Sequence, residues 1–271
     1  MNTIAQKLSR HRLETMRAGL FEEAASAIEA DHPFLERFSI DKETALSGLE
    51  LQPNQLESRG IVPTQLEAIV RAVTRPPMLV RNDAVELVPL PAKFGANPDI
   101  VIRRNEIFLP SVGRIEFVNH PMTWGGTGWV LQDEGDGHYL IVTNRHVAKE
   151  VAHRNHRGEG IYMRSPFTLV QYGAVIDFNE EIGAVPGQAR PAEILRFTYL
   201  ADDASADIAI GRIEKPDSFE IAPLRLADRD GEVDEMVAVI GYPAYDSRND
   251  RTEMEQYFEG QYDVKRFAPG F

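Results

Sequence analysis

The segment 125–130 reads Gly-Gly-Thr-Gly-Trp-Val, and the segment 139–148 reads Tyr-Leu-Ile-Val-Thr-Asn-Arg-His-Val-Ala. The first leads into a short apolar run and the second begins with an aromatic and β-branched run, so both are typical of β-strands. The polar residues 132–137 between them contain Asp136-Gly137, a dipeptide that favours tight hairpin turns. The pattern predicts a β-hairpin with His146 just beyond its second strand, where a side chain can face a cleft.

This arrangement closely resembles the histidine segment of trypsin-like serine peptidases, especially the bacterial branch that includes the high-temperature-requirement proteases. In that family a glycine-rich turn, a hairpin and an apolar strand precede Thr-Asn-x-His-Val, which matches residues 143–147. The resemblance implies that His146 is the general base, which takes a hydroxyl proton and returns it to the leaving amine. An isolated histidine after a hairpin is more often a plain surface residue, but here three neighbouring features agree.

A second segment, Ala-Asp-Ile-Ala-Ile-Gly-Arg-Ile at 206–213, places Asp207 at the start of an alternating apolar strand. Trypsin-like peptidases carry Asp-Ile/Leu-Ala-Leu/Ile in their aspartate segment. The resemblance therefore implies that Asp207 accepts a hydrogen bond from Nδ1–H of His146. The alternative is an aspartate that only ends a loop. Asp202 and Asp203 lack the adjoining strand, and we assign them to that loop.

The nucleophile of this chemistry is a serine on a glycine-rich turn, and the sequence contains no Gly-Asn/Asp-Ser-Gly segment. The serines after His146, none of which has a glycine neighbour, are Ser165, Ser205, Ser218 and Ser247. We therefore expect a serine endopeptidase fragment that is inactive alone and is completed by a serine beyond residue 271. The alternative is a noncatalytic pseudo-protease or an adaptor protein.

The chain divides into three parts by its pattern. Residues 1–75 have helical periodicity and form a helical N-terminal segment, and the Thr-Gln-Leu-Glu stretch 64–67 has the pattern of a capping box. Residues 76–110 are rich in proline and form a connector with a few strands. Residues 111–271 form the trypsin-like peptidase domain, incomplete at its C-terminus. The sequence thus predicts a mainly β fold, a trypsin-like double β-barrel whose first barrel is complete and second partial, preceded by the helical segment.

Three local predictions are made within the peptidase part. Residues 147–157 are expected to form a helix, residues 167–170 a strand, and a hairpin is expected about Glu259-Gly260. His153 and His156 lie three apart on the expected helix, but no third ligand completes a metal site, so we expect them to be solvent-exposed. No metal and no cofactor are expected.

Composition limits the remaining possibilities. The net charge of −13 argues against binding to nucleic acid or to an anionic membrane. The sequence contains no cysteine, no N-terminal signal pattern and no run of about 18 apolar residues, so a cytoplasmic location is expected. The expected partner is a polypeptide substrate. Residues 1–75 either pack as their own small domain or dock a regulatory protein.

Overall fold

A computed structural model describes residues 4–16, 18–38, 40–246 and 248–271, so Ser247 lies outside the described residues. Helices prevail before residue 75 and strands after it. The α-helices are α1 (Ile4–Thr15), α2 (Ala18–Glu29), α3 (Lys42–Glu50), α4 (Pro63–Thr74), α5 (Pro98–Asn105), α6 (Arg145–Ala148) and α7 (Arg251–Phe258). The strands are β1 (Met78–Arg81), β2 (Ala84–Val85), β3 (Val112–Val118), β4 (Trp124–Asp133), β5 (His138–Thr143), β6 (Ala152–Arg154), β7 (Gly160–Tyr162), β8 (Gly173–Asp177), β9 (Pro191–Leu200), β10 (Ala209–Glu214), β11 (Val237–Gly241) and β12 (Arg266–Gly270).

Six strands close into a barrel in the order β10-β5-β4-β3-β8-β9, because β9 also pairs with β10. The predicted hairpin is the β4–β5 pair, which turns through residues 134–137. Alternate residues of these strands point inward, and they form one buried cluster that includes Ile115, Val130, Ile141 and Ile176. The six-strand ring is closed, and β7 and β6 extend the same sheet outward from β9. The predicted first barrel is confirmed.

A second sheet has the order β11-β12-β1-β2 and remains open. Strand β12 pairs with β11 on one side and with β1 on the other, with Met78 opposite Phe267. The strand β1 comes from the proline-rich stretch after the helical segment, so residues distant in sequence build one sheet. Its core contains Met78, Val80 and Phe267. The barrel, the additional sheet and the N-terminal helices together confirm the predicted fold class.

The N-terminal helices gather around α4, whose residues are almost all buried. Ile69 and Val73 of α4 pack with Ala24 and Ile28 of α2 in a separate core. The prediction of a capping box at residues 64–67 is wrong. Helix α4 begins at Pro63 with Val62 as its N-cap, and the Thr64 side chain makes no capping hydrogen bond. Proline is favoured in the first helical turn because it lacks the N–H that would be unsatisfied there.

Two of the local predictions, the helix at 147–157 and the strand at 167–170, are wrong because these residues form turns. Helix α6 ends at Ala148, and residues 147–157 are not a helix, because the Asn155 side chain accepts two backbone N–H groups and folds β6 against β7. The run 167–170 is not a strand, because the Ser165 hydroxyl accepts the N–H groups of Phe167 and Thr168 and holds a turn.

The predicted hairpin about Glu259-Gly260 is also wrong. The side chain of Asp250 accepts the N–H groups of Thr252 and Glu253 and starts helix α7, which ends as Glu259 adopts a left-handed conformation. In the connector, for which a few strands are predicted, the apolar run 100–102 lies in helix α5. Across the part of the chain that the structure describes, no helix is long and apolar enough to cross a membrane.

Candidate active site

The barrel register brings the two predicted catalytic segments together. Thr143, the last residue of β5, lies opposite Ala209, the first residue of β10. The chain leaves β5 through Asn144 into the single turn of α6, which carries His146, and Asp207 enters β10 two residues before Ala209. Because the strands are antiparallel, the end of one and the start of the other meet at the same rim of the barrel.

Glycines in β4 allow α6 to lie directly on this strand. A Cβ on Gly126 would be 2.7 Å from Cγ2 of Val147, and a Cβ on Gly125 would be 2.3 Å from Cζ of Phe117. Both distances are shorter than real Cβ contacts, so any larger residue would displace the neighbouring side chain. The glycines of this stretch therefore allow helix α6, which carries His146, to pack closely against β4.

The Asp207 carboxylate collects hydrogen bonds from this turn. Nδ1 of His146 lies 2.6 Å from Oδ2 of Asp207, and the backbone N–H of His146 donates to Oδ1 at 2.9 Å. The Asn144 amide donates to the Asp207 carbonyl at 3.2 Å and reaches Oδ2 at 3.4 Å. The carboxylate thus fixes both the backbone and the ring of His146.

The pKa of Asp207 is lowered from its ordinary value. The largest cause is the hydrogen bond from the His146 side chain, followed by the bond from the His146 backbone N–H, while desolvation opposes both and the positive charge of Arg145 assists. Hydrogen bonds to the charged form of a carboxyl group favour that form. Asp207 is therefore a carboxylate over the neutral pH range and can hold the Nδ1–H tautomer of the imidazole.

Two residues beside the pair were not predicted to contribute. Asn144 is the amide donor described above. The Arg145 guanidinium donates to the carbonyl of Asp202 and lies 3.8 Å from the carboxylates of Asp203 and Asp207. Asn144 and Arg145 directly precede His146 in the sequence. This position is the one sequence feature that points to a role for them in the site. They hold the loop 202–207 against α6, so the loop assignment of Asp202 and Asp203 agrees with their positions.

The other ring nitrogen of His146 faces outward. The His146 side chain is 66% exposed and that of Asp207 is 41% exposed. No described residue forms a hydrogen bond with Nε2 of His146, whereas the hydroxyls of Ser165 and Ser205 are engaged in local turns. Nε2 of His146 is therefore free to accept a proton, while Nδ1 of the same ring is held by Asp207.

His153 and His156 do not join this pair. His153 lies on β6 and His156 in the turn after it, and both side chains are exposed. Among the residues in the described ranges, no group of three or more histidine, aspartate or glutamate side chains could hold a metal ion. The site is therefore built from His146, Asp207 and their neighbours on the barrel rim.

A comparison with protein families agrees with this architecture. The family model described as the trypsin-like peptidase domain matches residues 126–263, just over half of the chain. The chain therefore belongs to the trypsin-like peptidase family, a class of proteases that act on polypeptides. No curated protein matches the chain.

Proposed function

We propose that residues 1–271 carry the general base, His146, and the orienting carboxylate, Asp207, of a serine endopeptidase whose nucleophilic serine comes from outside this sequence. The observation that carries the proposal is the 2.6 Å contact between Nδ1 of His146 and Oδ2 of Asp207, with the backbone N–H of His146 on the same carboxylate. This double attachment gives the ring one orientation, which a base in acyl transfer needs.

In the proposed reaction, Nε2 of His146 takes the proton of the serine hydroxyl while its oxygen attacks the carbonyl carbon of the peptide bond. Asp207 stabilises the resulting imidazolium without taking its proton. The imidazolium then protonates the leaving amine as the C–N bond breaks, and an acyl-enzyme forms. A water molecule, activated by the same nitrogen, hydrolyses the acyl-enzyme and restores the serine.

The open second sheet supports a serine from outside these residues. Strand β11 lies at a free edge, and its residues Val237 and Val239 are 50% and 68% exposed. An exposed apolar edge strand is a surface on which further strands pair. The exposure of His146 and Asp207 also supports it, because acyl transfer works best in a site from which water is excluded. Further strands on this edge would continue the partial second barrel.

Three finer assignments are part of this proposal. The Thr143–Val147 pattern favours the bacterial branch that includes the high-temperature-requirement proteases. The absence of cysteine from the sequence favours a cytoplasmic location, because no disulfide requires an oxidising compartment. The helical residues 1–75 are a place where a regulatory protein can dock.

A noncatalytic role is the second candidate. The observation in its favour is that none of the described serines hydrogen-bonds His146, and that the sequence has no serine between glycines. In that case the rim of the barrel would bind a polypeptide without cleaving it. The two functions differ in whether a serine from elsewhere reaches Nε2 of His146.

The deciding experiment starts with the coding DNA beyond codon 271. A continuation that encodes Gly-x-Ser-Gly is expected, and the longer chain should then hydrolyse a peptide library and react with a fluorophosphonate probe. His146→Ala should abolish both, and Asp207→Asn should lower kcat by about 10⁴-fold, because asparagine removes the charge and favours the wrong tautomer. A stop codon directly after Phe271 would favour the binding role.

The matched control is Asp203→Asn in the same loop. It should leave kcat within about twofold, because Asp203 bonds Lys149 rather than His146, and because Arg145 keeps its hydrogen bond to the Asp202 carbonyl when the 3.8 Å contact with Asp203 loses its charge. Peptide cleavage by residues 1–271 alone, lost on His146→Ala, would overturn the external serine. Full activity of the longer chain after His146→Ala would overturn the assignment of the base.

A further inference from the structure

A cavity of about 300 Å³ lies between the N-terminal helices and the end of the peptidase part. Helices α1 and α4 form one wall, and residues 244, 246, 249 and 250 with helix α7 form the other. Its size is that of small-molecule sites. The proposed peptidase mechanism makes no use of it, and its lining combines aromatic rings with carboxylates and guanidinium groups.

Most charges around the cavity are already paired. Glu67 is only 5% exposed, and its Oε1 lies 2.9 Å from Arg71 and 3.3 Å from Arg12. Asp246 lies 2.6 Å from Arg248, which lowers its pKa to about 2. Two guanidinium groups thus share the Glu67 carboxylate and a third pairs with Asp246, so neither of these carboxylates lacks a cationic partner.

Two polar atoms in the cavity lining remain without a partner. Oε2 of Glu253 and Oγ1 of Thr64 are buried, and neither has a hydrogen bond of ordinary length and angle, although the two side chains lie close enough for the hydroxyl to lower the pKa of Glu253. Thr64 is only 4% exposed, so water from the surface does not reach its hydroxyl freely. A buried polar atom without a partner costs about 1–3 kcal/mol, so such atoms in native proteins usually have one.

The surroundings of Glu253 favour a positive partner. Burial is the largest cause that raises its pKa, to about 7, and the neighbouring Asp250 raises it further, whereas the hydroxyl of Thr64 acts in the opposite direction. Asp250, which caps α7, also accepts a hydrogen bond from the Glu253 carboxyl group when that group is protonated, and this bond is the largest cause that lowers the pKa of Asp250. Neither Glu253 nor Asp250 forms an ion pair among the described residues, so these two neighbouring carboxylates are the charges in this lining that a bound cation would neutralise.

We propose that this cavity binds a small organic monocation, an alkylammonium or alkylguanidinium group. Its N–H groups donate to Glu253 and to Thr64, and its alkyl chain lies against Met254, Tyr257 and Ala68. An organic cation fits better than a metal ion, because no described cluster of three metal-ligating side chains exists. Because both walls of the cavity contact the cation, its binding stabilises the packing of α4 against α7.

The test is calorimetric titration of the 271-residue chain with n-butylguanidinium and n-butylammonium at pH 8, where Glu253 is ionised. Saturable one-site binding with a dissociation constant of about 1 mM or lower is expected for at least one of them. Butyrate and n-butanol, of similar size but negative or neutral, should not bind. Absence of binding by both cations, or equal binding of n-butanol, would overturn the proposal.

The variants locate the site. Glu253→Gln keeps the shape and removes the charge, and Thr64→Val keeps the shape and removes the hydroxyl. We expect the first to weaken binding about tenfold or more and the second by a few-fold. The matched control is Glu255→Gln on the same helix, because Glu255 pairs with Arg251 and does not line the cavity, so binding should be unchanged.

Circular dichroism checks that each variant is folded, and Thr64→Val provides the test if Glu253→Gln is not. Undiminished binding in both folded variants would overturn the assigned site. The cation can come from a free amine or from the basic side chain of a peptide. N-acetylarginine amide distinguishes them: binding at least as tight as that of n-butylguanidinium indicates a peptide side chain, and much weaker binding indicates a free small molecule.

Discussion

At the scale of single residues, Asp207 organises the rim of the barrel. Its carboxylate accepts the ring N–H and the backbone N–H of His146 and lies beside the Asn144 amide. A side chain that binds both the backbone and the ring of one residue leaves that residue little rotational freedom. The position of His146 therefore depends on Asp207, whatever chemistry the site performs.

The pKa of Asp207 provides a direct test of this contact. His146→Ala should raise that pKa toward its ordinary value of 3.8, because the side-chain hydrogen bond is its largest depressing cause. Carboxyl NMR titration of the 271-residue chain measures the change. His153→Ala, on an exposed strand, should leave it unaltered, and an unchanged pKa in His146→Ala would show that the contact does not form in solution.

At the scale of elements, the approach of α6 to β4 depends on glycine. Gly126→Ala should cost about 1–3 kcal/mol of unfolding free energy, because its Cβ would lie 2.7 Å from the buried Val147. Urea unfolding measures the loss. Gly187→Ala is the control, because a Cβ there meets nothing within 4 Å. Equal stability of the two variants would mean that α6 is not seated on β4.

The packing of α7 on α4 should make stability depend on pH through Glu253. Its folded-state pKa of about 7 lies above its ordinary 4.5, so the folded state holds this proton more tightly than the unfolded state. This contribution to stability is complete below about pH 4.5 and is lost as the pH rises through 7. The charged groups that line the same cavity are Arg12, Glu67, Arg71, Asp246 and Asp250.

Thermal unfolding of the wild type and Glu253→Gln between pH 5 and 8 tests this dependence. The wild type should lose stability relative to the variant as the pH rises. The difference between the two proteins is the quantity to use, because His32, whose pKa burial lowers, contributes in the opposite direction as the pH rises from acid to 6.5. Parallel curves would show that Glu253 is not buried against α4.

At the scale of the whole molecule, Lys265 joins the open sheet to the barrel. It is fully buried, and Nζ donates to the carbonyls of Leu109 and Phe178 and to Oε1 of Glu181 at 3.2 Å. Its backbone also binds both sides, since its N–H donates to Glu180 and its carbonyl accepts from Val80. The residues 178–182 that follow β8 are thereby tied to β1 and β12.

Removal of this cation should destabilise the chain strongly. Lys265→Met is expected to cost about 3–5 kcal/mol, because the Glu181 charge would remain buried without its partner. The double variant Lys265→Met/Glu181→Gln should cost less than the sum of the single changes. Denaturant unfolding measures both. Lys215→Met, which breaks a surface pair with Asp133, should cost about 0–1 kcal/mol, and a similar loss for the two lysines would contradict the argument.

Much of the barrel follows from local pattern. The apolar run that begins at residue 139 and the alternating run within 206–213 form strands β5 and β10 as predicted, because alternation with a buried face leaves a strand few other arrangements. The failures at 147–157, 167–170 and 257–264 share a cause. In each, one side chain that accepts backbone N–H groups outweighs the propensity of its neighbours, and a pattern of apolar residues does not reveal such a bond.

The sequence by itself determined the barrel strands, their hairpin and the two segments that carry His146 and Asp207, because these depend on residues close together in the chain. Only the tertiary structure decided that Thr143 lies opposite Ala209, that β1 pairs with β12, and that Glu253 and Thr64 face one cavity. These features join residues far apart in sequence. The register and burial of such contacts depend on the packing of the whole chain, and a local sequence pattern carries no information about that packing.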